Sequence, residues 1–118
     1  MCGIVGYIGE EKCIPRIISG LESLEYRGYD SAGIAFVTKN GIEIAKEEGR
    51  IENLKSEIDM TFNSNIGIGH TRWATHGKPS DENSHPHRVG HITLVHNGIV
   101  ENYNELRKEL GDYNYLSE

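Results

Sequence analysis

Cys2 stands directly behind the initiator Met1, and a residue this small is normally exposed as the new N-terminus once methionine is cleaved. A mature N-terminal cysteine carries two reactive groups. Its thiol is a strong nucleophile once ionised. Its α-amino group, with a reference pKa of about 7.7–8.0, is partly neutral near pH 7 and can take the thiol's proton. A second cluster, GHTRWATHG at 69–77, sets Arg72, Trp73, Thr75 and His76 in a polar stretch. Arg suits bidentate capture of a carboxylate, and the only Trp of the chain can close over a small ligand. Asn97-Gly98 reads first as a hairpin turn. Its functional alternative is an oxyanion hole, built from the Asn97 side-chain amide and the Gly98 backbone N–H. In YRGYDSAG at 26–33, Arg27 and Gly28 read as a helix C-cap. Six histidines, among them His85-Pro86-His87, lack HExxH or Cys/His spacing, so no metal site is expected.

These residues need elements to hold them. GIVGYI at 3–8 is too short for a helix and predicts a buried strand. Ile14, Ile17, Ile18, Leu21 and Leu24 recur at helical spacing, which predicts an amphipathic helix over 11–26 with Gly28 as its stop. GIAFVT (33–38) and IEIAK (42–46) flank Lys39-Asn40-Gly41, whose Asn-Gly pair is the signature of a hairpin because both residues accept positive φ. A helix over 51–60, strands over 66–70 and 91–96, a helix over 102–110 and a strand opening at 113–116 complete the order. Residues 71–90 are left as a long polar loop, which in a compact domain points to function. The result is an α+β domain with helices over a mainly antiparallel sheet.

Composition narrows the partners. Lys and Arg number 12 against 18 Asp and Glu, a formal charge of −6 that gives no basis for binding a phosphate backbone, so nucleic acid is excluded as a partner. No apolar run approaches the roughly 18 residues that would cross a bilayer, and the first residues lack a basic signal region, so neither a membrane partner nor export is expected. A cytoplasmic setting follows, in which Cys2 and Cys13 are read as separate thiols. Glycine supplies 14 residues and proline 3, a composition for turns and close backbone approaches rather than linkers.

MCGIVGYIG at the start, YRGYDSAG, GHTRWATHG, NSHPH at 83–87 and VHNGIVEN at 95–102 together resemble the glutaminase domain of the glutamine–fructose-6-phosphate aminotransferases. The resemblance implies an N-terminal-nucleophile αββα sandwich, of which residues 1–118 form the N-terminal portion of a type 2 glutamine amidotransferase domain. It implies hydrolysis of L-glutamine, with ammonia passed to a sugar-isomerase domain, absent from this chain, that converts fructose 6-phosphate to glucosamine 6-phosphate. It implies no cofactor, and a homodimer for the full-length protein. Carried over by motif, Cys2 is the nucleophile and its own amine the base. Arg27 and Gly28 hold that amine and line the site, and Arg72 takes the glutamine α-carboxylate. Trp73 links the glutamine loop to the ammonia channel. Thr75, His76 and His85 lie in the substrate pocket, and Asn97 with Gly98 form the oxyanion hole. In the family an acidic segment follows the Ser-Glu seen here as Ser117-Glu118, so a fragment is expected. Two other readings stand beside this one: an inactive truncated domain that only binds glutamine or partner subunits, favoured if Met1 is retained, and a metal-binding module resting on the histidines alone.

Overall fold

The computed structural model describes residues 2–25, 30–73 and 83–111. Arg27, Gly28, Thr75, His76 and the strand expected at 113–116 lie outside the described residues. Strand β1 (Gly3–Ile8) is followed by helix α1 (Cys13–Ser23), the hairpin β2 (Ser31–Thr38) and β3 (Gly41–Glu48), helix α2 (Ile51–Ser56) and strand β4 (Ile66–Arg72). A short hairpin, β5 (His87–Val89) and β6 (Ile92–Leu94), and helix α3 (Tyr103–Leu110) complete it. Four strands form one antiparallel sheet in the order β1-β4-β2-β3. The N-terminal ends of β1 and β2 and the C-terminal end of β4 therefore meet at one sheet edge, with Gly3 opposite Thr71 and Ser31 opposite Arg72.

One face of that sheet is closed by helices. Ile14, Ile17, Ile18 and Leu21 of α1 pack with Ala32 and Ile34 of β2 and with Ile51 and Leu54 of α2. Full burial of each large aliphatic side chain is worth roughly 1.5–3 kcal/mol. α1 comes this close because β4 offers it glycines. A Cβ on Gly69 would lie 2.5 Å from Ile17 Cγ2 and 3.1 Å from Leu21 Cδ1; one on Gly67 would lie 2.7 Å from Ile17 Cδ1 and 2.9 Å from the Ala35 carbonyl oxygen. α1 has no side-chain N-cap, and the Cys13 N–H donates instead to the Ser64 carbonyl at 2.7 Å. Because successive side chains of a strand alternate in face, β4 directs Ile66, Ile68, His70 and Arg72 away from the helices. The other sheet face is more open: Ile4, Ile8, Val37 and Ile66 are exposed.

Several boundaries differ from the sequence expectation. α1 is shorter at both ends, since Cys13 starts it on the Ser64 carbonyl and Leu24 closes it. The first hairpin turns at Lys39-Asn40 rather than Asn40-Gly41. Among the described residues only glycines have positive φ, Gly41 taking +113° as the first residue of β3, while the Thr38 hydroxyl bridges the turn by donating to the Gly41 carbonyl. α2 ends at Ser56 instead of residue 60, because the Asp59 carboxylate accepts both the N–H and hydroxyl of Thr61 and starts a turn. The polar stretch expected to be a loop contains β5, which pairs with β6. Asn97-Gly98 forms no hairpin; it follows β6 as a bend, with Gly98 at φ +142°. α3 ends as expected on Gly111, at φ +77°.

Replacing Gly69 with Ala should destabilise the fold by about 1–3 kcal/mol, through overpacking against the stiff Ile17 branch, and should lower the urea midpoint. Gly6→Ala, at a position with nothing within 4 Å of a new Cβ, should leave the midpoint nearly unmoved by comparison.

Candidate active site

Register builds the site from the sheet edge. Continuing the β1–β4 pairing one step past Gly3 and Thr71 sets Cys2 beside Arg72, and the chain then leaves β4 at Trp73. The Trp73 N–H donates to Cys2 Sγ at 3.3 Å, while the thiol lies 3.7 Å from the Trp73 carbonyl oxygen. Both cysteines are free thiols, but Cys2 is partly exposed whereas Cys13, the first residue of α1, is fully buried.

Asn97 reaches the same place from beyond β6. Its Nδ2 donates to the Cys2 carbonyl at 3.3 Å, and its Oδ1 lies 2.7 Å from His70 Nε2. His70 is fully buried on β4, with Arg72 buried on the same strand face. Arg72 is also anchored through its backbone, its carbonyl accepting the Asp30 N–H at 2.6 Å. Trp73 itself is half exposed.

Residues 83–87 cross over this face. The His85 ring stacks on His70 at 4.2 Å between centroids and tilts against His87 at 4.3 Å. Lys46 on β3 holds the crossing from the side, its ammonium donating to the Ser84 carbonyl at 2.9 Å and, more weakly, to that of Pro86 at 3.4 Å. Below it, Gly33 has no room for a side chain, because a Cβ there would collide with the His85 carbonyl oxygen. The His85-Pro86 bond is cis. Among the described residues no group of three or more His, Cys, Asp or Glu side chains could hold a metal ion.

Electrostatics keep this histidine cluster neutral. Burial pushes His85 down to about 3, helped by His70, His87, Arg72 and His96. Burial also lowers His87 to about 4, with the Lys46 charge next in importance. His70 is held below its ordinary value first by burial, against the opposing pull of the Asn97 and His96 oxygens.

The structure thus brings together five of the residues singled out in the sequence, Cys2, Arg72, Trp73, His85 and Asn97, with Gly98 next in the chain. Sequence reasoning gave no site role to His70 or Lys46. Alternation along IGIGHTR was the available signal for His70, since it places that residue on the face of Arg72.

An antiparallel sheet closed on one face by helices, with Cys2 and Asn97 meeting where its strands end, is part of an N-terminal-nucleophile αββα sandwich. Its backbone superposes on the glutamine phosphoribosylpyrophosphate amidotransferase from B. subtilis complexed with ADP and GMP, with a TM-score of 0.75 and 28% identity over 93% of this chain and 24% of that one. In sequence the chain resembles more closely the N-terminal part of the glutamine–fructose-6-phosphate aminotransferases (isomerizing). It is 54% identical over 121 residues to the protein of Oceanobacillus iheyensis, covering 100% of this chain and 20% of the relative. To that of Bacillus subtilis it is 56% identical over 111 residues, covering 92% and 18%. The chain therefore spans about a fifth of the length of these curated relatives. No family model matches it.

Two outcomes are expected. Gly33→Ala should lift 83–87 off the sheet, seen as a changed His85 imidazole resonance and loss of its stacking shift. Between about pH 4 and the ordinary histidine pKa near 6.5, the unfolded chain binds protons that folded His85 and His87 refuse. Stability should therefore be complete above about pH 7 and fall as pH drops toward 4, with His85→Asn flattening that slope in urea midpoints measured across the range.

Proposed function

We propose that residues 1–118 are the N-terminal portion of a type 2 glutamine amidotransferase domain, which hydrolyses L-glutamine to glutamate and ammonia. The observation that carries this reading is the meeting of Asn97 Nδ2 with Cys2, 3.3 Å from its carbonyl, at the point where Trp73 N–H contacts Sγ. With Met1 removed, the Cys2 amine takes the proton from the thiol and Sγ attacks the side-chain carbonyl carbon of glutamine. Negative charge then develops on the former amide oxygen. The Asn97 amide and the Gly98 N–H are the donors available for it, and losing one such donor typically costs about 2.7–4 kcal/mol. The amine returns its proton to the leaving nitrogen, ammonia departs, and water cleaves the thioester to release glutamate. Glutamine nitrogen is thereby freed without a separate histidine base.

Arg72 is the residue we assign to the α-carboxylate. It is a cation on the site face of β4, close enough to His70, His85 and His87 to depress their protonation. Arg27, Gly28, Thr75 and His76 are assigned to the glutamine site on motif, with Trp73 and His85 in its wall. The names of the aminotransferase relatives support fructose 6-phosphate as the acceptor of the nitrogen; on the resemblance of motifs we further assign glucosamine 6-phosphate as the product, a sugar-isomerase domain as the place of its synthesis, and a homodimer in the cytoplasm as the full-length form. Among the described residues no helix is long and apolar enough to cross a membrane.

A glutamine analogue bearing an electrophilic ketone should add once, at Cys2, by intact mass and peptide mapping. Cys2→Ala should abolish both labelling and glutamine hydrolysis, and a form retaining Met1 should do the same. Labelling at Cys13 would defeat the assignment.

A further inference from the structure

His70 is a fully buried titratable side chain that the hydrolytic steps leave without a task. Its surroundings determine its chemical form. Nε2 lies 3.2 Å from the His96 carbonyl oxygen, an atom that can only accept, and 2.7 Å from Asn97 Oδ1. Nε2 must therefore carry the hydrogen and donate to both. The other ring nitrogen, Nδ1, is buried and has no hydrogen-bond partner among the described residues, so placing a proton there would bury an unmatched donor. The imidazolium form meets the same obstacle, and the Arg72 charge works against it as well.

This tautomer in turn settles the Asn97 carboxamide. An amide has one accepting and one donating end, and the two must face opposite kinds of neighbour. With an N–H at 2.7 Å on one side and the Cys2 carbonyl at 3.3 Å on the other, Oδ1 faces His70 and Nδ2 faces Cys2. The flipped amide would set Nδ2 against a donor and Oδ1 against a carbonyl oxygen. The ring cannot swing away to relieve this, because His85 stacks on it at 4.2 Å. Lys46 and the bare surface of Gly33 fix the segment that carries His85.

We propose that His70 is a positioning residue for the amide hydrolysis: as the neutral Nε2–H tautomer clamped by His85, it holds the Asn97 carboxamide with its donating end at Cys2. The inference rests on the glutaminase reading for its catalytic consequence, and on hydrogen-bond geometry alone for its structural part. The chain of support runs from β3 and the 83–87 crossing, through two stacked rings, to the amide that meets the developing oxyanion. His70 touches no substrate in this scheme. It acts by removing the wrong orientation of Asn97 before glutamine arrives, and pre-orientation of a donor is felt in the transition state more than in the bound ground state.

The experiment uses the natural polypeptide that carries this chain, and compares His70→Phe, which retains an aromatic ring for stacking but has no N–H, with His70→Gln, whose side-chain amide can donate. His70→Phe should lower kcat for glutamine hydrolysis on the order of tenfold or more, short of the 10²–10³ typical of deleting an oxyanion donor outright, with KM nearly unchanged. His70→Gln should restore much of the loss. In an Asn97→Ala background the His70→Phe effect should largely vanish, because a residue acting through Asn97 has nothing left to position. An unchanged kcat in His70→Phe, or a loss that adds in full to that of Asn97→Ala, would overturn the proposal. Nitrogen NMR of the unsubstituted protein decides it even where a variant fails to fold. A neutral Nε2–H imidazole at pH 7 supports it; an Nδ1–H tautomer or an imidazolium refutes it. If the unsubstituted protein hydrolyses no glutamine, the glutaminase reading and the catalytic role of His70 fail together, while the tautomer still decides whether His70 orients the Asn97 carboxamide.

Discussion

Strand β4 must satisfy two demands at once, and the rest of the molecule follows from how it does so. Bonded to β1 on one side and β2 on the other, it has no free edge and so no freedom of register. On the helix side it presents Gly67 and Gly69, which let α1 descend until Ile17 and Leu21 touch backbone. On the opposite side it presents His70 and Arg72, which remain buried only because other chain segments come to meet them. Close helix packing and a polar site thus occupy two faces of one seven-residue strand.

The polar face is stable because its members balance one another. Three histidine rings crowd together with an arginine and a lysine nearby, and each would repel the others if charged. Kept neutral, they stack. The positive charges that remain lie at the cluster's margins, where Lys46 donates to two backbone carbonyls. Acid would reverse this arrangement, since protons favour the open chain in which each imidazole is separately hydrated.

Much of the architecture was legible in the sequence. The helical recurrence of isoleucine and leucine and the strand–turn–strand pattern around Asn40 report local preferences that the tertiary fold keeps, and the glycine-bounded run at the start is a strand, though an edge strand with Ile4 and Ile8 exposed rather than the buried one expected. What was not legible depends on distant partners. α1 begins at Cys13 because the Ser64 carbonyl waits there, fifty-one positions further on, a contact that no local pattern announces. Asn97-Gly98 looked locally like a turn, but His70 and Cys2 compete for its side chain and win. Cys2, Arg72, Trp73, His85 and Asn97, which the structure brings together, were marked by their motifs; of the support beneath them, His70 could be placed on the face of Arg72 by strand alternation, while Lys46 was visible only once the strands were paired.

The contact between Gly33 and the His85 carbonyl has a consequence for how this fold can be altered. A position in the middle of a strand normally accepts any side chain that suits the pleat, and the choice is made by its neighbours on the sheet. Here the veto belongs to a main-chain oxygen fifty-two places away, which no substitution at residue 85 can remove. Grafting a shorter crossing in place of 83–87 would therefore lift the restriction at 33 without touching it, whereas shuffling side chains alone never could. Diversity at one site is governed by loop length at another.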